Sequence, residues 1–235
     1  MALRKNFVFL TAAERTRLAD AFNAVNASGL MTTLADQHNA NFNSGIHWGS
    51  AFLPWHRWFL RELEQAMQAH EPGVMMPYWD WTRPDSRNID LEPWKSFFGG
   101  RNNTGGHFDH WGYTRAASPG HSVLPELLPG GMGASMVDRL AQTTFAGFRA
   151  IESSGGHGCG HNWVGGTMAG GRSPLDPLFW LHHGNVDRLW AIWQRNHPGV
   201  SHYNLTPAPG DSVAAAMVPL NSPMVGGATP ASMLD

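Results

Sequence analysis

Thirteen histidines in a 235-residue chain are the residues most able to carry chemistry, and several sit where a solvated ring would have no reason to be. His47 and His56 stand nine positions apart in His47-Trp-Gly-Ser-Ala-Phe-Leu-Pro-Trp-His56-Arg57, among large apolar side chains. His157 and His161 stand four apart in His157-Gly-Cys-Gly-His161, the spacing that lets one helical face hold a metal ion. A third stretch, Asp176-Pro-Leu-Phe-Trp-Leu-His182-His183-Gly-Asn-Val-Asp187, adds an adjacent pair. A buried imidazole needs a partner, either a hydrogen bond in the core or a metal ion. For any one of these residues both readings stand, but recurrence in three separate stretches favours metal. Cys159, between His157 and His161, is a possible soft ligand for Cu(I) or zinc.

The elements that must position these residues read as mainly helical. Thr11-Ala-Ala-Glu14 is a capping box opening a first helix, with Leu18, Phe22 and Val25 on one face and Asn26 to Gly29 as its end. Leu30, Leu34 and His38 recur every four residues, so a second helix carries His38 on an apolar stripe. Asn39 to Gly45 reads as a polar loop. A third helix opens at His56 and runs to about His70 before Glu-Pro-Gly, with Phe59, Leu60, Leu63 and Met67 at helical spacing. Arg83 to Leu128 is rich in Gly, Pro, Asn and Asp and reads as long irregular connections; His107, His110 and His121 there read as surface histidines. Met136 to Ile151 reads as one helix. The glycines around His157 and His161 oppose a helix, each by up to roughly 1 kcal/mol relative to Ala, so that turn must rely on tertiary packing and metal. Asp176-Pro177 is a helix start. Asp187 either orients a ligand imidazole or pairs with an arginine such as Arg57.

The composition narrows the partners. Charged residues make up 14% of the chain, the net charge is −2, and no basic cluster is interleaved with aromatics, which argues against nucleic acid. No apolar run approaches the roughly 20 residues of a membrane span, and Phe7-Val-Phe-Leu10 is too short for a signal-peptide core. A soluble protein without its own export address is therefore expected, either cytoplasmic or exported with a helper. One domain covering residues 1–235 is expected, with a Pro-, Gly- and Ala-rich wrap or tail from about residue 200.

The pattern His47-x4-Phe-Leu-x-Trp-His56-Arg57-x2-Leu-x3-Glu64, with Asp176-Pro-x-Phe-Trp-x2-His183-x3-Asp187, resembles the two copper-site signatures of the tyrosinase family: tyrosinases, catechol oxidases and the copper domains of molluscan haemocyanins. The resemblance spans roughly residues 5 to 195 and is nearest to the compact bacterial tyrosinases. It implies a four-helix bundle holding two copper ions, one at His38, His47 and His56 and one at His157, His161 and His183, with His182 as the non-ligand of its pair. It implies dioxygen as co-substrate and small phenols as substrates, o-diphenols going to o-quinones and monophenols being hydroxylated ortho to the hydroxyl. Catechol oxidase, o-aminophenol oxidase and an oxygen carrier are the alternatives, and for some bacterial relatives a helper protein loads copper and assists export. The resemblance further implies that the substrate ring stacks on His161 with Asn162 and Asn185 near the pocket mouth. Glu152 matches the Glu that bacterial tyrosinases place before the first copper B histidine. Gly158 stands where those proteins have Asn, and no cysteine lies near His47 to form the thioether found in many members.

Overall fold

The computed structural model describes residues 4–43, 45–86, 88–116, 132–154, 156–203 and 228–234. The helices are α1 Ala12–Ala27, α2 Leu30–Asn41, α3 Phe52–His70, α4 Trp94–Phe98, α5 Met132–Ala141, α6 Phe145–Arg149, α7 Ile151–Ser154, α8 Gly156–Val164 and α9 Pro177–Asn196. His121, Gly155 and most of the expected C-terminal wrap lie outside the described residues.

Helix α1 begins as its sequence dictates: the Thr11 hydroxyl accepts from the Glu14 amide and the Glu14 carboxylate accepts from the Thr11 amide. Its face of Leu18, Phe22 and Val25 is buried, and Gly29 at φ +81° turns the chain into α2. Helix α2 continues to Asn41, so Asn39 to Asn41 are helical rather than loop. Helix α3 starts at Phe52, four residues before His56, because Pro54 falls in the first turn, where its missing N–H leaves no bond unmade. The expected single helix from Met136 to Ile151 is three short ones. Thr144 ends the first stretch by taking an extended backbone and accepting from the Gly147 amide, which nucleates α6 in a new direction.

Helix α3 lies along α9 and α1, α2 packs on α1, and α8 packs on α9. Helices α2, α3, α8 and α9 thus form the bundle whose interior receives the histidines. Burial of Phe52, Trp55, Phe59, Leu60 and Leu63 from α3, with Phe179, Trp180, Trp190 and Trp193 from α9, builds its core. Each such side chain contributes about 1.5–3 kcal/mol when withdrawn from water. The irregular stretch after Arg83 contains α4, whose Trp94 and Phe98 stack at 5.7 Å and both pack on Phe7. His107 and His110 in that stretch are exposed, as expected of surface histidines. Among the described residues no helix is long and apolar enough to cross a membrane.

Two ion-pair groups lock the bundle. Asp187 of α9 accepts from Arg57 of α3 and from Arg4, which also reaches Glu64, so the Asp187 carboxylate joins helices rather than orienting an imidazole. Arg57 lies 3.9 Å over the Trp190 ring and donates to the carbonyl of Met233, holding residues 228–234 against α3. Asp176 caps α9 through the Leu178 amide and forms a fully buried, two-bond pair with Arg115. Removing one partner of such a pair leaves an uncompensated charge and costs about 3–5 kcal/mol. Asp176→Ala is therefore expected to lower the free energy of urea unfolding by that amount; a loss below about 1 kcal/mol would show that the pair is replaceable.

Candidate metal centre

Each histidine reaches the bundle interior by a separate local device. His38 extends from the buried stripe of α2, His56 from the first full turn of α3, and His157 and His161 from one face of α8; His47 comes from the loop before α3. His38, His47 and His56 place one ring nitrogen each within 4.8 Å of one another, and so do His157, His161 and His182. His183 joins the two groups. Its ring stacks on His56 at 4.3 Å and 12°, and its Nε2 lies 3.2 Å from His161 Nε2.

The glycines of α8 explain how this helix forms despite its composition. A Cβ on Gly160 would lie 2.4 Å from Cε1 of His182, and one on Gly156 would lie 2.6 Å from the Trp81 indole. Both positions therefore exclude any larger residue, and the close approach of α8 to α9 and to Trp81 offsets the helix penalty. The His182 imidazole fills the resulting contact: it donates from Nε2 to the His157 carbonyl and lies 4.8 Å from Trp81.

The donor set fits a metal. His38 Nδ1 faces the Gly171 carbonyl at 2.6 Å, His47 that of Phe42 at 3.1 Å, His56 that of Phe52 at 2.8 Å, His157 that of Glu152 at 3.0 Å and His161 that of Met168 at 2.7 Å. A carbonyl can only accept, so each Nδ1 carries the proton and each Nε2 presents a bare lone pair. For His38, His56 and His157 that lone pair is buried with no partner on the protein, a costly arrangement unless a cation fills the space between. Burial also holds the rings neutral, as ligation requires. It lowers His38 to about 3 and His47 and His161 to about 4, and drives His56, His157 and His183 well below the ordinary value.

A cleft of about 300 Å³ opens from this cluster to the surface, lined in part by His38, His47, His161, Glu152, Gly158 and Asn162. Burial raises the Glu152 carboxyl to about 7, against the opposing pull of the Trp48 amide and Arg149, which both donate to it. Gly158 and Asn162 stand at the cleft as expected. Asn185 does not: it is fully buried in α9 and its Oδ1 accepts from Arg188. Two residues beyond His183 a helix has turned about 200°, which carries Asn185 away from the metal side. Cys159 is exposed and belongs to neither histidine group. Sequence reasoning missed Phe42 and Trp48, which also line the cleft. An aromatic on each side of the loop that carries His47 was the available signal.

A mainly helical bundle with two groups of three convergent, neutral imidazoles defines a protein of the dinuclear metal class. Residues 28–129 and 135–196 match the common central domain of tyrosinase. The chain is 36% identical to a tyrosinase of Streptomyces antibioticus, with 100% of this chain and 97% of that one covered. It is 35% identical to a tyrosinase of Streptomyces glaucescens over 100% and 96%. A solved structure of active aurone synthase, a polyphenol oxidase, superposes with a TM-score of 0.67 at 19% identity, covering 92% of this chain and 76% of that one. The chain belongs to the tyrosinase family of copper proteins and is a tyrosinase-type oxidoreductase.

Proposed function

We propose that this chain uses dioxygen and a copper pair to oxidise o-diphenols to o-quinones, and hydroxylates monophenols more slowly. What carries the reading is the convergence of unpartnered, uncharged Nε2 atoms at the floor of a cleft large enough for a single aromatic ring. His38, His47 and His56 hold one ion, and His157, His161 and His183 the other. His183 is preferred to His182 because its ring lies against His56, between the two groups. His182 donates from Nε2 to the His157 carbonyl, its remaining lone pair, on Nδ1, is packed against Gly160, and its ring faces Trp81. When bound, the copper pair would supply the site for dioxygen and pass to it the electrons that the diphenol gives up.

The protein's own residues do the rest. His161, half-buried at the cleft, offers its ring face to the phenol. Glu152 receives the phenol proton, with the Trp48 amide and Arg149 holding its carboxylate in place. Asn162 borders the same space. Phenols of one ring and dioxygen are the substrates; a copper-loading or export helper is a further partner that the family likeness supports. An oxygen carrier would use the same histidines, but the open approach to His47 and His161 favours turnover of a substrate that must reach the metals. Metal analysis after copper loading tests the centre itself. Two copper ions per chain are expected, displaceable by chelator; one ion, or zinc retained through Cys159, would refute it.

A further inference from the structure

One wall of the cleft serves neither metal binding nor proton transfer. Trp48 directly follows His47, lines the cleft and is 57% exposed, unusual for so large an apolar side chain. Its indole stands edge-on to Phe42 at 5.3 Å and 83°, and 5.4 Å from the His47 ring. The backbone there has φ +56°, a conformation that a bulky L-residue rarely adopts. Such a conformation persists only where its surroundings over-determine it. Here they do: the Trp48 N–H donates to Glu152 and the neighbouring His47 Nδ1 donates to the Phe42 carbonyl, so the turn that aims the indole over the cleft is tied at both sides to the site.

We propose that Trp48 is a specificity-determining residue, its indole receiving an uncharged, apolar substituent on the far side of the phenol ring. The inference rests on the phenol-oxidase reading above. A ring whose hydroxyl reaches the histidine floor must direct its opposite carbon toward the mouth, where the exposed indole and Phe42 form an aromatic wall. Among the described residues, those lining the cleft include one carboxylate, Glu152, and no lysine or arginine. A carboxylate substituent would face the Glu152 carboxylate, with which the nearby Arg149 is already paired, whereas an alkyl or aryl group finds apolar surface.

The test compares 4-tert-butylcatechol with catechol on the copper-loaded wild type, Trp48→Gly and Trp48→Phe. Glycine suits φ +56° and retains the amide that holds Glu152, so Trp48→Gly removes only the wall. The ratio of kcat/KM for the butylated substrate to that for catechol is expected to fall about 3–10-fold in Trp48→Gly, the value of one aromatic contact, chiefly through KM. Trp48→Phe is expected to restore most of it. A ratio unchanged in Trp48→Gly would overturn the proposal. On the copper-free protein, saturation-transfer NMR should show the tert-butyl protons receiving saturation in wild type and losing it in Trp48→Gly; equal transfer in both would also overturn it. Were neither catechol oxidised, the phenol-oxidase reading would fail, and the NMR result would still decide the role of Trp48.

Discussion

Replacing either His56 or His183 by Asn is expected to remove one of two copper ions and to take catechol oxidation down to the uncatalysed background, a loss upward of about 10⁶-fold. The size of the effect follows from the proposed pairing of the sites: His56 would hold one ion and His183 the other, their rings stacked at 4.3 Å, and the reaction with dioxygen would need both ions. Asparagine fills much of the same volume, which separates loss of a ligand from loss of the fold. His182→Asn is the sharp control. His157, His161 and His182 also satisfy the distances of a metal triad, yet the one lone pair left to His182, on Nδ1, is packed against Gly160 while its Nε2 donates to the His157 carbonyl. His182→Asn should keep both ions, as should Cys159→Ser; loss of an ion in His182→Asn with retention in His183→Asn would reverse the assignment.

The balance between monophenol and diphenol turnover should depend on Glu152. A monophenol must shed a hydroxyl proton with a solution pKa near 10 before its oxygen can bind as phenolate, and Glu152, which lines the cleft, is the base proposed for it. Removing a general base typically costs about 10²–10⁴-fold, so Glu152→Gln should depress tyrosine hydroxylation by that amount and catechol oxidation much less. The pH dependence has a definite sign. Because burial raises the Glu152 carboxyl to about 7, the group is protonated and unable to accept below that value. The ratio of tyrosine to catechol turnover should climb as pH rises through about 7 and then level off. Gly158→Asn should raise the ratio severalfold by supplying an amide beside Glu152, and there is room for it, since the nearest atom to an added Cβ is the Glu152 carbonyl oxygen at 3.4 Å. An unchanged ratio would assign that role to Asn162, which already lines the cleft.

Much of the site was legible because its chemistry is written in local spacing. Leu30, Leu34 and His38 declare a helical stripe, and the Thr11 to Glu14 box and the Asp176-Pro177 start lie where local rules put them. What the sequence concealed depends on contacts between distant residues. The glycines of α8 read as helix breakers because nothing local says that the His182 ring and Trp81 will press against them. The Asp176–Arg115 pair spans 61 positions, and a buried carboxylate looks like a helix cap alone until its arginine is found. Asn185 differs for another reason: the resemblance puts it near the pocket mouth, whereas the rotation of α9 beyond His183 buries it fully. The Trp48 backbone, with its positive φ, is set by the Glu152 carboxylate 104 residues away and has no signature in its own neighbourhood.

The most direct measurement is oxygen consumption by the copper-loaded protein with catechol and with tyrosine at pH 7 to 8. Rapid uptake with catechol, accompanied by quinone, and slower uptake with tyrosine is the predicted result. Reversible oxygen binding without quinone, or no uptake by a protein that carries two copper ions, would contradict a phenol oxidase built on these six histidines.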